Sequence, residues 1–261
     1  MTTVTCTPTD LGAIHEAFQN DGYVLVKGLI SPEEAGTMRQ EVHDLFRRVL
    51  TSRDGAWGSA RKVAGAEGKQ QLQGMHDLQF YSAVFSRMLV DPRFVDTAAA
   101  ALGVENLQLH HTKAFVKPSE KGAPFPLHQD YPFFPHTLHR VAACIFHLDA
   151  APEEKGCVTL VRRSHNLGPL EHIEEGNWHL PVKEWPITRA QPVEADAGDV
   201  LIFSYLMVHG SGVNRSDEAR TTWLVQVRDP ADKPISDAHT FSRGQGMMIR
   251  GRDPEPTYTG P

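Results

Sequence analysis

The stretch PFPLHQDYPFFP, residues 124–135, sets an imidazole and a carboxylate two positions apart, at His128 and Asp130. On an extended segment such side chains project to one side, so both would face a single cavity while Gln129 turns away. One imidazole plus one carboxylate is two-thirds of a facial triad, the set that suits non-haem Fe(II) and leaves coordination positions open. The segment DVLIFSYLMVHGSG offers the third ligand, a buried-strand pattern ending in His209 and running into a glycine-rich turn. Eleven residues later Arg220 opens RTTWLVQV. If these two strands form a hairpin, the guanidinium lies beside the metal and can fork onto a carboxylate. A chelating keto acid needs that pairing, with its keto oxygen and 1-carboxylate on iron and its distal carboxylate on arginine.

A second H-x-D occurs at His147-Leu148-Asp149. Strand parity chooses between the two pairs: if Phe146 lines the pocket, His147 and Asp149 point the other way. His110 and His111 are adjacent, so only one can face inward, and both read as structural. Tyr131, Phe133, Phe134, Arg162, Arg163, His165, Trp178 and His179 stand in segments that could shape a substrate site, since loops on a rigid scaffold carry specificity.

These residues need a scaffold, and the chain supplies helices first and short strands afterwards. Asp10 caps a helix through Gln19, DGYVLVKGLI reads as a strand, and Ser31-Pro32-Glu33-Glu34 starts a helix running to about Leu50. The glycine-rich residues 52–70 read as a loop, and a second helical region spans Asp77 to Leu102, restarted at Asp91-Pro92 and ended by Gly103. From Leu107 the candidates LQLHHTKAFV, RVAACIFHLDA, GCVTLV, PVEAD, DVLIFSYLMVH and RTTWLVQVRD alternate with Pro and Gly breaks. Helices followed by many antiparallel strands predict a mainly β chain with flanking helices, a jelly-roll core on a helical buttress. The 261 residues are expected to form a single catalytic domain: 1–106 the mostly helical buttress, 107–230 the jelly-roll core, 231–261 an irregular tail.

The formal charge of −6, with no basic stripe, argues against a nucleic-acid partner. No apolar run is long enough for a membrane helix, and MTTVTCTPTD does not read as a secretory signal. Cys6, Cys144 and Cys157 lack CxxC spacing and suit a reducing compartment. The chain ends in YTGP rather than SKL or KDEL, and the expectation is a cytoplasmic protein. Nothing in the sequence specifies an oligomeric state.

In PLHQDYPFFP, in GDVLIF, and in HGSGVN with an arginine following, the chain resembles the phytanoyl-CoA dioxygenase family of Fe(II)/2-oxoglutarate oxygenases. The resemblance runs from about Leu107 to Pro230, and the N-terminal third is similar only in its helix layout. It implies a double-stranded β-helix of cupin type, with His128, Asp130 and His209 as iron ligands and Arg220 holding 2-oxoglutarate. By the same resemblance Ser211 contacts that carboxylate. Lys113 and Phe146 stand where the family has a methionine and a tryptophan lining the co-substrate pocket, and Gln73 corresponds to a further co-substrate contact.

The implied reaction consumes O2 and 2-oxoglutarate, releases succinate and CO2, and hydroxylates an unactivated C–H bond of a small-molecule substrate. Related halogenases replace the carboxylate ligand with a small residue, so Asp130 favours hydroxylation over halogenation. Desaturation, epoxidation or cyclisation in natural-product biosynthesis would use the same ligands. Two rivals stand outside this class, a non-catalytic metal- or ligand-binding barrel and a zinc hydrolase. The second would want a positioned general base and no arginine opposite the metal.

Overall fold

Local signals start and stop the helices as expected. The computed structural model describes residues 3–51, 73–119, 124–175, 177–236 and 242–256, so the loop expected at 52–70 lies outside the described residues. Helix α1 (Leu11–Asp21) begins where Asp10 accepts a hydrogen bond from the Ala13 amide and ends at Gly22, which is left-handed at φ 81°. A Cβ there would fall 2.3 Å from the His165 ring, so both conformation and packing demand glycine. Helix α2 (Pro32–Thr51) opens with a reciprocal capping box between Ser31 and Glu34. Helices α3 (Ala83–Leu89) and α4 (Pro92–Leu102) follow, with Asp91 capping α4 and Gly103 ending it.

Strands β1 (Thr5–Cys6), β2 (Tyr23–Val26), β3 (Gln73–His76) and β4 (Leu107–Lys117) precede the metal motif. Then come β5 (Phe125–His128), β6 (Val141–His147), β7 (Val158–Leu160), β8 (Ile173–Glu175) and β9 (Asn177–His179). The series ends with β10 (Gln191–Val193), β11 (Val200–Ser204), β12 (His209–Ser211), β13 (Arg220–Arg228) and β14 (Met248–Arg250). Among the described residues, one sheet runs β1-β2-β11-β6-β13-β4-β14 with β3 also on β4, and a four-stranded sheet runs β10-β7-β12-β5. The expected jelly roll is thus present. The tail is less irregular than its composition suggests, because Met248–Arg250 pairs with the start of β4.

Alternation divides the large sheet cleanly. Val24, Cys144, Phe146, Ile202, Trp223 and Val225 pack with Ile14, Phe18, Val42 and Phe94 of the helical layer. Leu25, Ala143, Leu201 and Phe203 instead face Val158, Leu160 and Val193 of the small sheet, forming the interior of the roll. An extra residue in β4 near His110 shifts the register against β13, so His111, Lys113, Phe115 and Lys117 fall on the interior side. No helix among the described residues is long and apolar enough to cross a membrane.

Candidate metal centre and co-substrate site

The expected single strand DVLIFSYLMVH is two strands. β11 stops at Ser204 in the large sheet, and the Met207 amide closes a turn on the Ser204 carbonyl at 2.8 Å. The Val208 amide then bonds Ser164 Oγ at 2.8 Å before β12 enters the small sheet. This crossing makes His209 the Cα partner of His128 on β5. Both imidazoles therefore rise from one face of paired strands, with ring centroids 4.2 Å apart. Asp130 arrives differently from the extended geometry expected: β5 ends at His128, and Asp130 has φ −75° and ψ −22° at the start of a 3-10 turn. Its amide and that of Tyr131 both donate to the Tyr205 carbonyl, which fixes the turn.

One ligand atom from each of His128, Asp130 and His209 lies within 4.8 Å of the others. His128 donates Nδ1–H to the Pro126 carbonyl at 2.8 Å, and His209 donates Nδ1–H to the Met207 carbonyl at 2.9 Å. With Nδ1 so engaged, each ring carries its lone pair on Nε2, the form a metal requires. Burial and the neighbouring His209 push His128 well below the ordinary imidazole range, and burial pushes His209 down to about 4, so both stay neutral at physiological pH. Burial likewise raises the Asp130 carboxyl. Two neutral imidazoles and one carboxylate fit a divalent first-row metal with positions to spare.

Residues between and behind the three candidate ligands hold them in place. Gln129 turns away, as expected, and is wholly buried; its amide donates to the carbonyls of Gly168 and Leu206 and accepts from the Leu170 amide. Its backbone N–H donates to His172 Nε2 at 2.9 Å. Gln226 donates to Asp130 Oδ2 at 3.2 Å. Sequence reasoning missed His172 and Gln226, because each is remote in the chain from the motif it supports.

Arg220 and His209 do not form a hairpin: β12 belongs to the small sheet and β13 to the large one. Arg220 is nonetheless interior and buried, donating Nη1–H to the Gly156 carbonyl at 2.6 Å while its Nε has no partner. Ser211, two residues beyond His209 and thus ~6.6 Å along the same strand face, accepts a hydrogen bond from Lys117 Nζ at 2.9 Å. Lys117 is the cross-strand partner of Arg220 and was not singled out from sequence. Lys113 also faces inward, but it stands opposite Leu224 with its ammonium 4.6 Å from the Phe115 ring centroid, four residues along β13 from Arg220.

Phe146 corrects the expectation. Its ring packs 5.1 Å from Phe94 and 5.0 Å from Trp223 on the helical side, outside the roll. The parity inference inverts with it, since it is His147 that faces inward, with both ring nitrogens unpartnered. Asp149 clamps α2 to β13, pairing with Arg39 at 2.6 Å and accepting from the Thr221 amide at 2.8 Å. Gln73 is placed by its backbone alone, opposite Val116; its side chain lies outside the described residues. Arg162 and Arg163 bind Asp21, and His165 bonds the Gln19 carbonyl, so this group braces α1.

A jelly roll whose interior holds this donor set and a buried, incompletely paired guanidinium is the architecture of iron- and 2-oxoglutarate-dependent oxygenases, and the chain is an enzyme of that class. The sequence pattern of the phytanoyl-CoA dioxygenase (PhyH) family matches residues 18–222, and the chain belongs to that family. It is 24% identical over 247 residues to a probable alpha-ketoglutarate-dependent hypophosphite dioxygenase of Stutzerimonas stutzeri, spanning 90% of this chain and 84% of that protein. It is 24% identical over 225 residues to an ectoine dioxygenase of Bordetella parapertussis, spanning 77% of this chain and 70% of that protein. A solved structure of the epimerase SnoN with Fe3+, alpha ketoglutarate and nogalamycin RO shares the fold at TM-score 0.72, 22% identity and 97% coverage of both chains.

Proposed function

We propose that the chain hydroxylates a small-molecule substrate at an unactivated C–H bond, with His128, Asp130 and His209 holding iron(II) and Arg220 holding the distal carboxylate of 2-oxoglutarate. The observation that carries this reading is the convergence of three ligand atoms within 4.8 Å on the face of the roll that also carries Ser211 and Arg220. When bound, iron and 2-oxoglutarate supply the oxidising power, one atom of O2 leaving in succinate and the other entering the product.

The chain's own residues do the positioning. Pro126 and Met207 carbonyls hold the two rings in the ligating tautomer, and Gln226 leaves Asp130 Oδ1 free to turn to the metal. The unpartnered Nε–H of Arg220 is a donor waiting for a carboxylate. Epimerisation, the reaction in the name of the structural relative, or desaturation or cyclisation would leave no new oxygen in the product. Turnover under isotopically heavy O2, with succinate and product both weighed, separates these outcomes. Heavy oxygen in succinate but never in the product would overturn the hydroxylase reading, and no succinate at all would overturn the ligand assignment.

A further inference from the structure

Burying a cation is costly unless an anion or a full set of acceptors meets it. Lys117 and Arg220 are 0% and 6% exposed, and they are Cα partners across β4 and β13 on the interior face. Like charges directly opposite one another destabilise a sheet. Among the described residues no carboxylate forms an ion pair with either; Asp149, the acid nearest in influence on Arg220, is committed to Arg39 and the Thr221 amide.

The two heads are brought to one place. Lys117 Nζ donates to Ser211 Oγ and to the Gly212 carbonyl, and Arg220 donates to the Gly156 carbonyl. Those two carbonyls belong to abutting segments, since a Cβ on Gly156 would lie 2.5 Å from the Gly212 oxygen. An ammonium has three donors, so one remains on Lys117. Ser211, accepting from Lys117, keeps its own hydroxyl proton to donate, and Arg220 Nε–H has no partner. Three unspent donors and two cationic heads thus stand on paired strands and abutting segments of the roll interior.

We propose that Lys117 is a second cation of the co-substrate site, gripping the distal carboxylate of 2-oxoglutarate together with Arg220 and Ser211 and so selecting a dicarboxylic over a monocarboxylic keto acid. This rests on the oxygenase reading above and adds a residue to it. The groups facing Lys117 leave it as the one that titrates near neutrality among them. Burial and Arg220 push Lys117 down to about 7, while Arg220 on β13 stays charged at about 10. Cys157, before β7, is pushed up to about 11 by burial, and His147 on β6 is pushed down to about 3, so both stay neutral. A bound carboxylate raises the ammonium's pKa, so its contribution to affinity is complete below pH about 7 and is lost as pH rises above it.

The test is calorimetry on the full chain, loaded anaerobically with Fe(II), titrated with 2-oxoglutarate and with 2-oxobutyrate, which shares the chelating end and lacks the distal carboxylate. Lys117→Met should weaken 2-oxoglutarate about 10- to 100-fold and leave 2-oxobutyrate unchanged, and Lys117→Arg should restore most of the loss. In the wild type the preference for 2-oxoglutarate should fall as pH rises above about 7, and the Met variant should show no such fall. Unchanged 2-oxoglutarate binding in Lys117→Met, or equal loss for both acids, would reduce Lys117 to a brace and overturn the proposal. Should the Met variant not fold, a wild-type preference that is flat with pH overturns it equally. A wild type that binds both acids alike defeats the co-substrate reading itself, a different result from either.

Discussion

Gln226 Nε2 lies 3.2 Å from Asp130 Oδ2, and the other oxygen of that carboxylate, Oδ1, stands 3.7 Å from His209 Nε2. One oxygen is thus anchored to β13 while its twin faces the imidazole of the third candidate ligand. The relationship ties the 3-10 turn carrying Asp130 to the large sheet, although the histidines belong to the small one.

Removing that anchor should loosen the metal without removing a ligand. Gln226→Leu is expected to weaken Fe(II) binding by about 10- to 100-fold, the usual effect of losing a hydrogen bond behind a ligand. Equilibrium competition against a chelator measures it. Wild-type affinity in this variant would show that the turn alone orients Asp130.

Arg220→Ala should raise the 2-oxoglutarate requirement steeply while Fe(II) affinity stays put. Losing charge-assisted hydrogen bonds worth about 1.5–3 kcal/mol each implies a rise of at least ~10-fold in the apparent KM. Succinate formation against co-substrate concentration reports it, and an unmoved KM would assign the distal carboxylate elsewhere.

Phe146→Ala removes a wholly buried ring packed at a tilt between Phe94 and Trp223. The expected cost is about 3–5 kcal/mol of stability, read from urea midpoints, with co-substrate affinity of the folded protein preserved. A variant of normal stability but poor 2-oxoglutarate binding would return Phe146 to the pocket.

His147 links the fold to pH. Burial, with Arg220 and Lys27 nearby, lowers its pKa from 6.5 to about 3, so the folded protein refuses a proton that the unfolded chain accepts. Its share of stability is complete above pH about 6.5 and drains away as pH falls toward about 3. His147→Leu should therefore show a shallower acid loss, by up to about 1.4 kcal/mol per pH unit between those limits. Parallel slopes for the two proteins would place the imidazole in contact with water.

Much of the site is legible in short stretches. His128, Asp130 and His209 are ligand types in segments whose patterns point to one cavity, and helix caps such as Ser31 with Glu34 act over a single turn. What misled was parity. The reading of Phe146 as pocket-facing presumed a face for β6, but a strand's two faces look alike when both are largely buried, as they are across Val141–His147, where Ile145 alone is half-buried.

By itself the sequence determined the class of fold, the three candidate ligands and the arginine, because caps, alternation and donor chemistry are local properties of the chain. Tertiary structure alone decided that β11 and β12 part company between sheets, that Gln226 and His172 bond to Asp130 and Gln129 of the candidate metal motif, and that Lys117 meets Arg220. Those outcomes depend on which strands become neighbours and on one extra residue in β4, and pairing between distant segments leaves no periodic trace in either segment.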